Sequence, residues 1–270
     1  MPQKNLTIMS MNVGRMLQPR TRAFIERLAH DPNVPDVLCL QDIPYRDLSL
    51  FERWPYVTFG PMTNHIIGVG EEAKRAVVGI AVASRYFLTD IAHHTYWGDG
   101  TLKDLQGIKD NQRHLGEESD RLVEATEDRL VICASVEKEG VGYDLANTHG
   151  MWVRGGVTND VQRQSMKRLR DILADEAQMR DGIVLASDLN FGRGGEIYDM
   201  FTEWLADRMP PEIDHTLDPE HPVSKKGIKV VSDHIMSCPE FLDSYLVNDV
   251  KLHLGVSDHA AISATIEVSF

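Results

Sequence analysis

Short apolar runs bounded by polar or turn residues recur along this chain, and helical periodicity is confined to a few stretches. Runs rich in Val, Ile and Leu at Leu6–Met11, Val37–Leu40, Val77–Ala83, Leu130–Ala134, Tyr143–Asn147, Ile183–Ala186, Lys229–Ile235 and Ala261–Val268 predict β-strands. Helices are predicted at roughly Pro19–His30, Thr158–Arg180 and Glu196–Asp207. The second is the clearest. Thr158 is its expected N-cap, and Val161, Leu169, Ile172 and Leu173 form one stripe. Arg163, Lys167 and Arg170 lie on its other side and read as a solvated face. Strands outnumber helices, and several connections are too short for repeated βαβ crossovers, so the pattern predicts mixed sheets flanked by helices. Two polar stretches, Thr95–Thr126 and Pro210–Gly227, stand apart. Such segments are either surface loops or borders of a binding cleft, and surface loop is the favoured reading for both.

Composition narrows the picture. The 270 residues, 42% of them hydrophobic, suffice for one large α/β core, and without a repeat, low-complexity tract or linker residues 1–270 read as a single domain. No run approaches the roughly 18–20 apolar residues of a membrane span. The opening "MPQKNLTIMSMN" lacks the charged-then-apolar pattern of a secretion signal, so a cytoplasmic location is expected. Cys39, Cys133 and Cys238 have no zinc-site spacing and read as reduced, structural residues. The net charge of −13 argues against a protein that tracks duplex DNA on a broad basic face.

Candidate chemistry collects at the ends of the apolar runs. Ser-Asp-His occurs twice, at Ser232-Asp233-His234 and Ser257-Asp258-His259. An ionisable pair at the end of a buried strand is costly unless partners or a metal compensate it. Asn12, Asp42, His149, Asp188 and Asn190 likewise sit just past apolar runs. A competing pattern, Gly68-Val69-Gly70-Glu71-Glu72-Ala73, fits a dinucleotide fingerprint with Asp90 downstream. Its context fails, because no strand precedes Gly68 and the apolar run at Val77 leaves no room for a helix.

The ordered series MNVG, LQD, NTH, SDLN, SDHI and SDHAA resembles the endonuclease/exonuclease/phosphatase superfamily, the DNase I-like phosphoesterases. It spans Asn12 to His259, and its force lies in the order of the motifs rather than in any one of them. The resemblance implies a four-layer α/β sandwich, two packed, mostly antiparallel sheets with helices outside. It also implies a hydrolase for a phosphoester, nucleic acid among the candidates, that uses Mg2+ or Mn2+ and acts as a monomer. Carried over residue by residue, Asp42, Asp258 and Asn12 become the metal site. His149, Asp188, Asn190, Asp233 and His259 become the catalytic group, with His259 the candidate base and Asp233 its orienting partner. His234, next to Asp233, should face the other way by strand alternation and so be structural. The metal position is usually glutamate in this family, and Asp42 is one methylene shorter, about 1.5 Å of reach. Histidine in NTH is similar to the sphingomyelinase, inositol-phosphatase, tyrosyl-DNA phosphodiesterase and deadenylase branches, and the Tyr-x-Pro-Asn stretch of the abasic-site endonucleases is absent. Compact size and the HGMW segment look like small bacterial members. Trp152, Arg154 and Arg193 are the candidate substrate contacts, by stacking or phosphate clamping. Two alternatives stay open: a non-catalytic binding module on the same fold, and a phosphomonoesterase.

Overall fold

Alternation along the first two strands decides the layering. Strand β1 (Asn5–Asn12) sends Leu6 and Ile8 to one face and Met9 and Met11 to the other. In the same way β2 (Val37–Pro44) divides Val37 and Cys39 from Leu38 and Leu40. The first set of each enters the core between two sheets. The second set packs beneath Ile25 and Leu28 of helix α1 (Pro19–His30), Phe51 of a 3₁₀ helix (Tyr45–Phe51) and Trp54. Helix α1 opens with Pro at its first position and ends with Arg27 and His30 in its last turn, both favourable to its termini.

The computed structural model describes residues 4–15, 17–67, 74–105, 117–153, 156–180, 182–238 and 245–268. The remaining strands are β3 (Tyr56–Ile67), β4 (Lys74–Ser84), β5 (Leu88–Trp97), β6 (Arg129–Lys138), β7 (Val141–Thr148), β8 (Val184–Asp188), β9 (Ala206–Asp207), β10 (Asp233–Ser237), β11 (Tyr245–His253) and β12 (Ala261–Val268). They form two six-stranded sheets, ordered β11-β12-β1-β2-β4-β3 and β5-β6-β7-β8-β10-β9. Each contains one parallel pair, β1 with β2 and β7 with β8, among antiparallel neighbours. Helices α3 (Asp160–Met179) and α4 (Glu196–Thr202) cover the second sheet through Met166, Leu169, Leu173, Ile197 and Phe201. The result is the expected four-layer α/β sandwich with mixed sheets.

Every predicted strand is present, with shifted limits. The strand predicted at Lys229–Ile235 begins only at Asp233, and the helix predicted at Glu196–Asp207 stops at Thr202, before β9. Helix α3 is capped by Asn159 rather than Thr158; the Asn159 side chain accepts the Gln162 amide at 2.8 Å. Strands β3, β5, β9 and β11 and a helix at Glu117–Thr126 (α2) were not predicted. The Gly68–Ala73 pattern lies outside the described residues. Cys39, Cys133 and Cys238 are buried, and burial pushes the thiols of Cys39 and Cys133 up to about 12. Among the described residues, no helix is long and apolar enough to cross a membrane.

Candidate active site

Strand direction brings the candidate residues to one edge. Because β1 and β2 are parallel, Asn12 and Asp42 leave the first sheet on the same side. Parallel β7 and β8 likewise deliver His149 and Asp188, which are themselves bridged. Antiparallel β10 starts there, with Asp233 opposite Asp188, and antiparallel β12 starts just after His259.

Backbone irregularities aim two of these side chains. The pairing of β2 with β4 shifts register between Leu40 and Ile43, a bulge in which Asp42 takes φ 53°. A bulge turns a side chain out of the strand's regular alternation. Asn190 sits at φ 56°, just after Asp188. Left-handed backbone at a non-glycine residue costs energy and persists only where its surroundings enforce it. Gly150 is required for a different reason. Its amide donates to the Asp188 carbonyl at 2.8 Å, and a Cβ there would lie 2.2 Å from the Leu189 carbonyl oxygen.

The centre is a buried cluster of Asp188, Asp233 and His259, whose ligand-type atoms all lie within 4.8 Å of one another. The His259 ring donates from Nδ1 to Asp233 Oδ2 at 3.0 Å, and the same nitrogen lies 3.5 Å from Asp188 Oδ2. Asp233 is fixed in turn by the hydroxyls of Thr216 at 2.7 Å and Ser232 at 2.9 Å. Asp188 accepts Asn12 Nδ2 at 2.9 Å and the Asn190 amide at 3.0 Å, and His149 Nε2 stands 3.6 Å away. Burial alone would disfavour an imidazolium at His259. The carboxylates of Asp233 and Asp188, with the half-buried Asp258, outweigh it and raise its pKa to about 10. The two carboxylates thus favour the charged imidazole at His259, the residue the sequence suggested as the base.

Asp42 occupies a second buried position. Its Oδ2 receives Arg15 Nε at 3.2 Å, while its Oδ1 lies 3.2 Å from His149 Nδ1 in an alignment too poor to pair them. Burial works against the Asp42 carboxylate, yet Arg15 and His149 hold it well below the usual range. Asp188, Asp233 and His259 form a group that could hold a metal ion, and the Asp42 carboxylate is a further oxygen donor linked to it through His149. Asp42 Oδ1 is a buried acceptor without an aligned donor, and hard cations take carboxylate oxygen.

Two sequence expectations are affected by the contacts the structure shows. Both groups of the Asn12 amide are engaged, with Oδ1 accepting the Gly14 amide at 3.0 Å and Nδ2 donating to Asp188, so in this structure the side chain is turned to Asp188. Arg193 is not presented to a substrate. Its guanidinium donates to Asp207 at 2.8 Å and to the carbonyls of Pro210, Ile213 and Met209, tying the start of the 210–227 segment to the second sheet. Arg154 lies outside the described residues. Trp152 is 42% exposed on the turn after His149, and the Asn190 amide ties that turn down through the Gly150 carbonyl at 3.1 Å.

The 210–227 segment is a wall of the site rather than a detached surface loop. Leu217 bridges to His259, the Asp218 amide donates to the Asp258 carbonyl at 3.0 Å, and the His221 ring packs edge-on to His259 with centroids 5.7 Å apart. Arg15, Glu127, Arg129 and Thr216 also join the site, and sequence reasoning missed them all. Thr216 and Asp218 in "HTLDP" fall in a segment without periodicity, and buried Glu127 and Arg129 stand at the entry to β6, where charged residues carry no distinctive pattern.

The Arg193 clamp makes a stability prediction. Burial opposes ionisation of Asp207, but His234 and Arg193 hold its pKa at about 2, against an ordinary 3.8. A lowered carboxylate pKa stabilises the fold above the ordinary value, and that stabilisation is lost as pH falls from 3.8 toward 2. Arg193→Ala should cost roughly 2–4 kcal/mol at pH 7 by urea melts, and less at pH 2, where about half of Asp207 is protonated. Equal costs at both pH values would mean that the ion pair contributes nothing.

No family model matches the chain, and no curated protein matches it by sequence. Solved structures match its fold over nearly its whole length. An endonuclease/exonuclease/phosphatase protein from Beutenbergia cavernae is 17% identical with a TM-score of 0.67, covering 99% of this chain and 72% of that one. A mutant beta toxin from Staphylococcus aureus with bound magnesium ions is 13% identical with a TM-score of 0.63, over 97% and 99% of the two chains. The human Nocturnin catalytic domain with a bound sulfate anion is 17% identical with a TM-score of 0.63, over 98% and 94%. The chain has the fold of the endonuclease/exonuclease/phosphatase proteins.

Proposed function

We propose that this protein is a divalent-metal-dependent phosphoesterase that hydrolyses a phosphodiester by attack of water. The observation that carries the reading is the buried Asp188–His259–Asp233 cluster, with His149 Nε2 3.6 Å from the Asp188 oxygen that His259 also approaches. Fold similarity to a magnesium-bound beta toxin and a sulfate-bound Nocturnin domain supports the same chemistry, since sulfate has the shape of a phosphate group.

Phosphoester hydrolysis requires an oriented water, donors for the charge that develops on phosphorus-bound oxygens, and neutralisation of the leaving group. Asp188 is the proposed water-positioning carboxylate, because Asn12 and the Asn190 amide fix both of its oxygens before substrate arrives. His149 faces the phosphoryl group as a hydrogen-bond donor. His259, whose charged form its carboxylates favour, stabilises the same oxygens or supplies a proton to the leaving oxygen, and Asp233 orients it. Asp42, with Asp258 beside His259, is the proposed holder of a Mg2+ or Mn2+ ion. When bound, that ion supplies Lewis-acid charge neutralisation. Trp152, exposed after His149, is the proposed stacking surface for an aromatic part of the substrate, a nucleobase included.

Hydrolysis of a bis-aryl phosphodiester should exceed that of the matching phosphomonoester when both are assayed with Mg2+ and with Mn2+. Monoester hydrolysis alone would make the protein a phosphomonoesterase. Turnover of neither ester, with no thermal shift from either ion, would leave a binding module.

A further inference from the structure

We propose that Arg15 is a built-in cation of the candidate metal site, sharing the Asp42 carboxylate with the divalent ion and setting how tightly that ion is held. This rests on the metal-dependent reading above. Arg15 follows Asn12 in the turn that leaves β1, and its guanidinium is pinned at two points. Nε lies 3.2 Å from Asp42 Oδ2, and Nη2 lies 2.5 Å from Glu127 Oε1. Glu127 receives a second guanidinium, Arg129 Nη2, at 3.0 Å on its other oxygen. Arg129 then donates from Nη1 to the His149 carbonyl at 3.3 Å, and the His149 ring returns to Asp42 at 3.2 Å. The contacts close a ring through Asp42, Arg15, Glu127, Arg129 and His149.

Charge within the ring is balanced, two carboxylates against two guanidinium groups, so Asp42 meets an incoming ion with its charge already countered. A fixed positive charge on one carboxylate oxygen opposes a dication on the other, and in a largely buried setting that opposition is weakly screened. The ring is nonetheless incomplete by itself. Arg15 Nη1, Asp42 Oδ1 and His149 Nδ1 are buried without hydrogen-bond partners. Leaving buried polar atoms unpaired is costly, and the orphaned carboxylate oxygen is the kind of group a hard cation completes. The bulge and left-handed backbone at Asp42 fix the direction in which its side chain leaves the strand, and Arg15 Nε holds one of its oxygens there. Arg15 therefore holds one oxygen of the ligand while the ion takes the other.

The test is titration of the whole protein with Mn2+ alone, read by electron paramagnetic resonance, for wild type, Arg15→Met and Arg15→Lys. Methionine keeps much of the arginine stem and leaves Glu127 paired with Arg129. Arg15→Met should bind Mn2+ at least about tenfold more tightly than wild type, because the competing charge is gone. Arg15→Lys, which keeps the charge, should bind within about threefold of wild type. If Arg15→Met does not fold, Arg15→Gln carries the same expectation. Wild type that binds Mn2+ while Arg15→Met binds no more tightly would overturn the role of Arg15 and leave the metal site standing. Absence of Mn2+ binding in all of these proteins would instead remove the metal-dependent reading, and this inference with it.

Discussion

Excess EDTA is expected to abolish phosphodiester hydrolysis by this protein, and Mg2+ or Mn2+ is expected to restore it. The reason lies in how the acidic groups are partnered. Asp233 has two hydroxyl donors and an imidazole, and Asp188 has two amide-type donors and two nearby imidazoles. Asp42 keeps one buried oxygen whose neighbour, His149 Nδ1 at 3.2 Å, is poorly aligned to donate to it. Oxygen donors of this kind select hard divalent ions over softer ones. Asp42→Ala should reproduce the effect of the chelator, lowering turnover by at least about 10²-fold in the presence of saturating ion. It should also shrink the rise in melting temperature that Mn2+ produces, since an ion stabilises a fold only as far as it binds it. Full turnover in excess chelator would remove the proposed mechanism outright.

The division between what the sequence disclosed and what it hid has a physical basis. Every strand predicted from apolar runs lies inside a sheet, and those missed, β3, β5, β9 and β11, are the four sheet edges. An interior strand such as β2 is buried at all of its positions and reads as an unbroken apolar run. An edge strand pairs on one side only and tolerates polar residues, as β5 does with "LTDIAHHTYW", exposed at many of its positions. Strand β3 carries Gly60 and Pro61, with a register shift at Pro61, and so resembles a turn in sequence. The same logic governs the site. Asn12, Asp42, His149, Asp188 and Asp233 were legible because each borders the apolar run of an interior strand, Asp42 at the bulge of β2 and His149 just past β7. Thr216 and His221 reach the site on an irregular segment, and Glu127 meets Arg15 across 112 residues, a distance over which no local pattern speaks. Arg193 shows the opposite error. Flanking glycines and a motif neighbour made it look like a substrate contact, and only its internal acceptors disclose a clamp.

The two Ser-Asp-His copies give the sharpest separation of function from structure. His259→Ala should lower turnover by at least about 10²-fold, the lower end of what a positioned acid–base group contributes. Asp233→Asn should behave like His259→Ala, because the 3.0 Å bond that orients the ring and sustains its charge would be lost. His234 is a different case, although it neighbours Asp233 directly. Strand alternation turns it to the far face of β10, where it is fully buried against Phe191 and Tyr198, with Nε2 3.2 Å from the Phe191 carbonyl. Truncation there leaves a cavity and removes a partner from Asp207, so His234→Ala should lose roughly 2–4 kcal/mol of stability. Turnover per folded molecule should stay close to wild type, since the ring contacts none of Asp188, Asp233 or His259 through its side chain in the interactions that build the site. Turnover and melting temperature measured together on the three variants decide the assignment. An inactive but stable His234→Ala beside an active His259→Ala would reverse the roles given to the two copies.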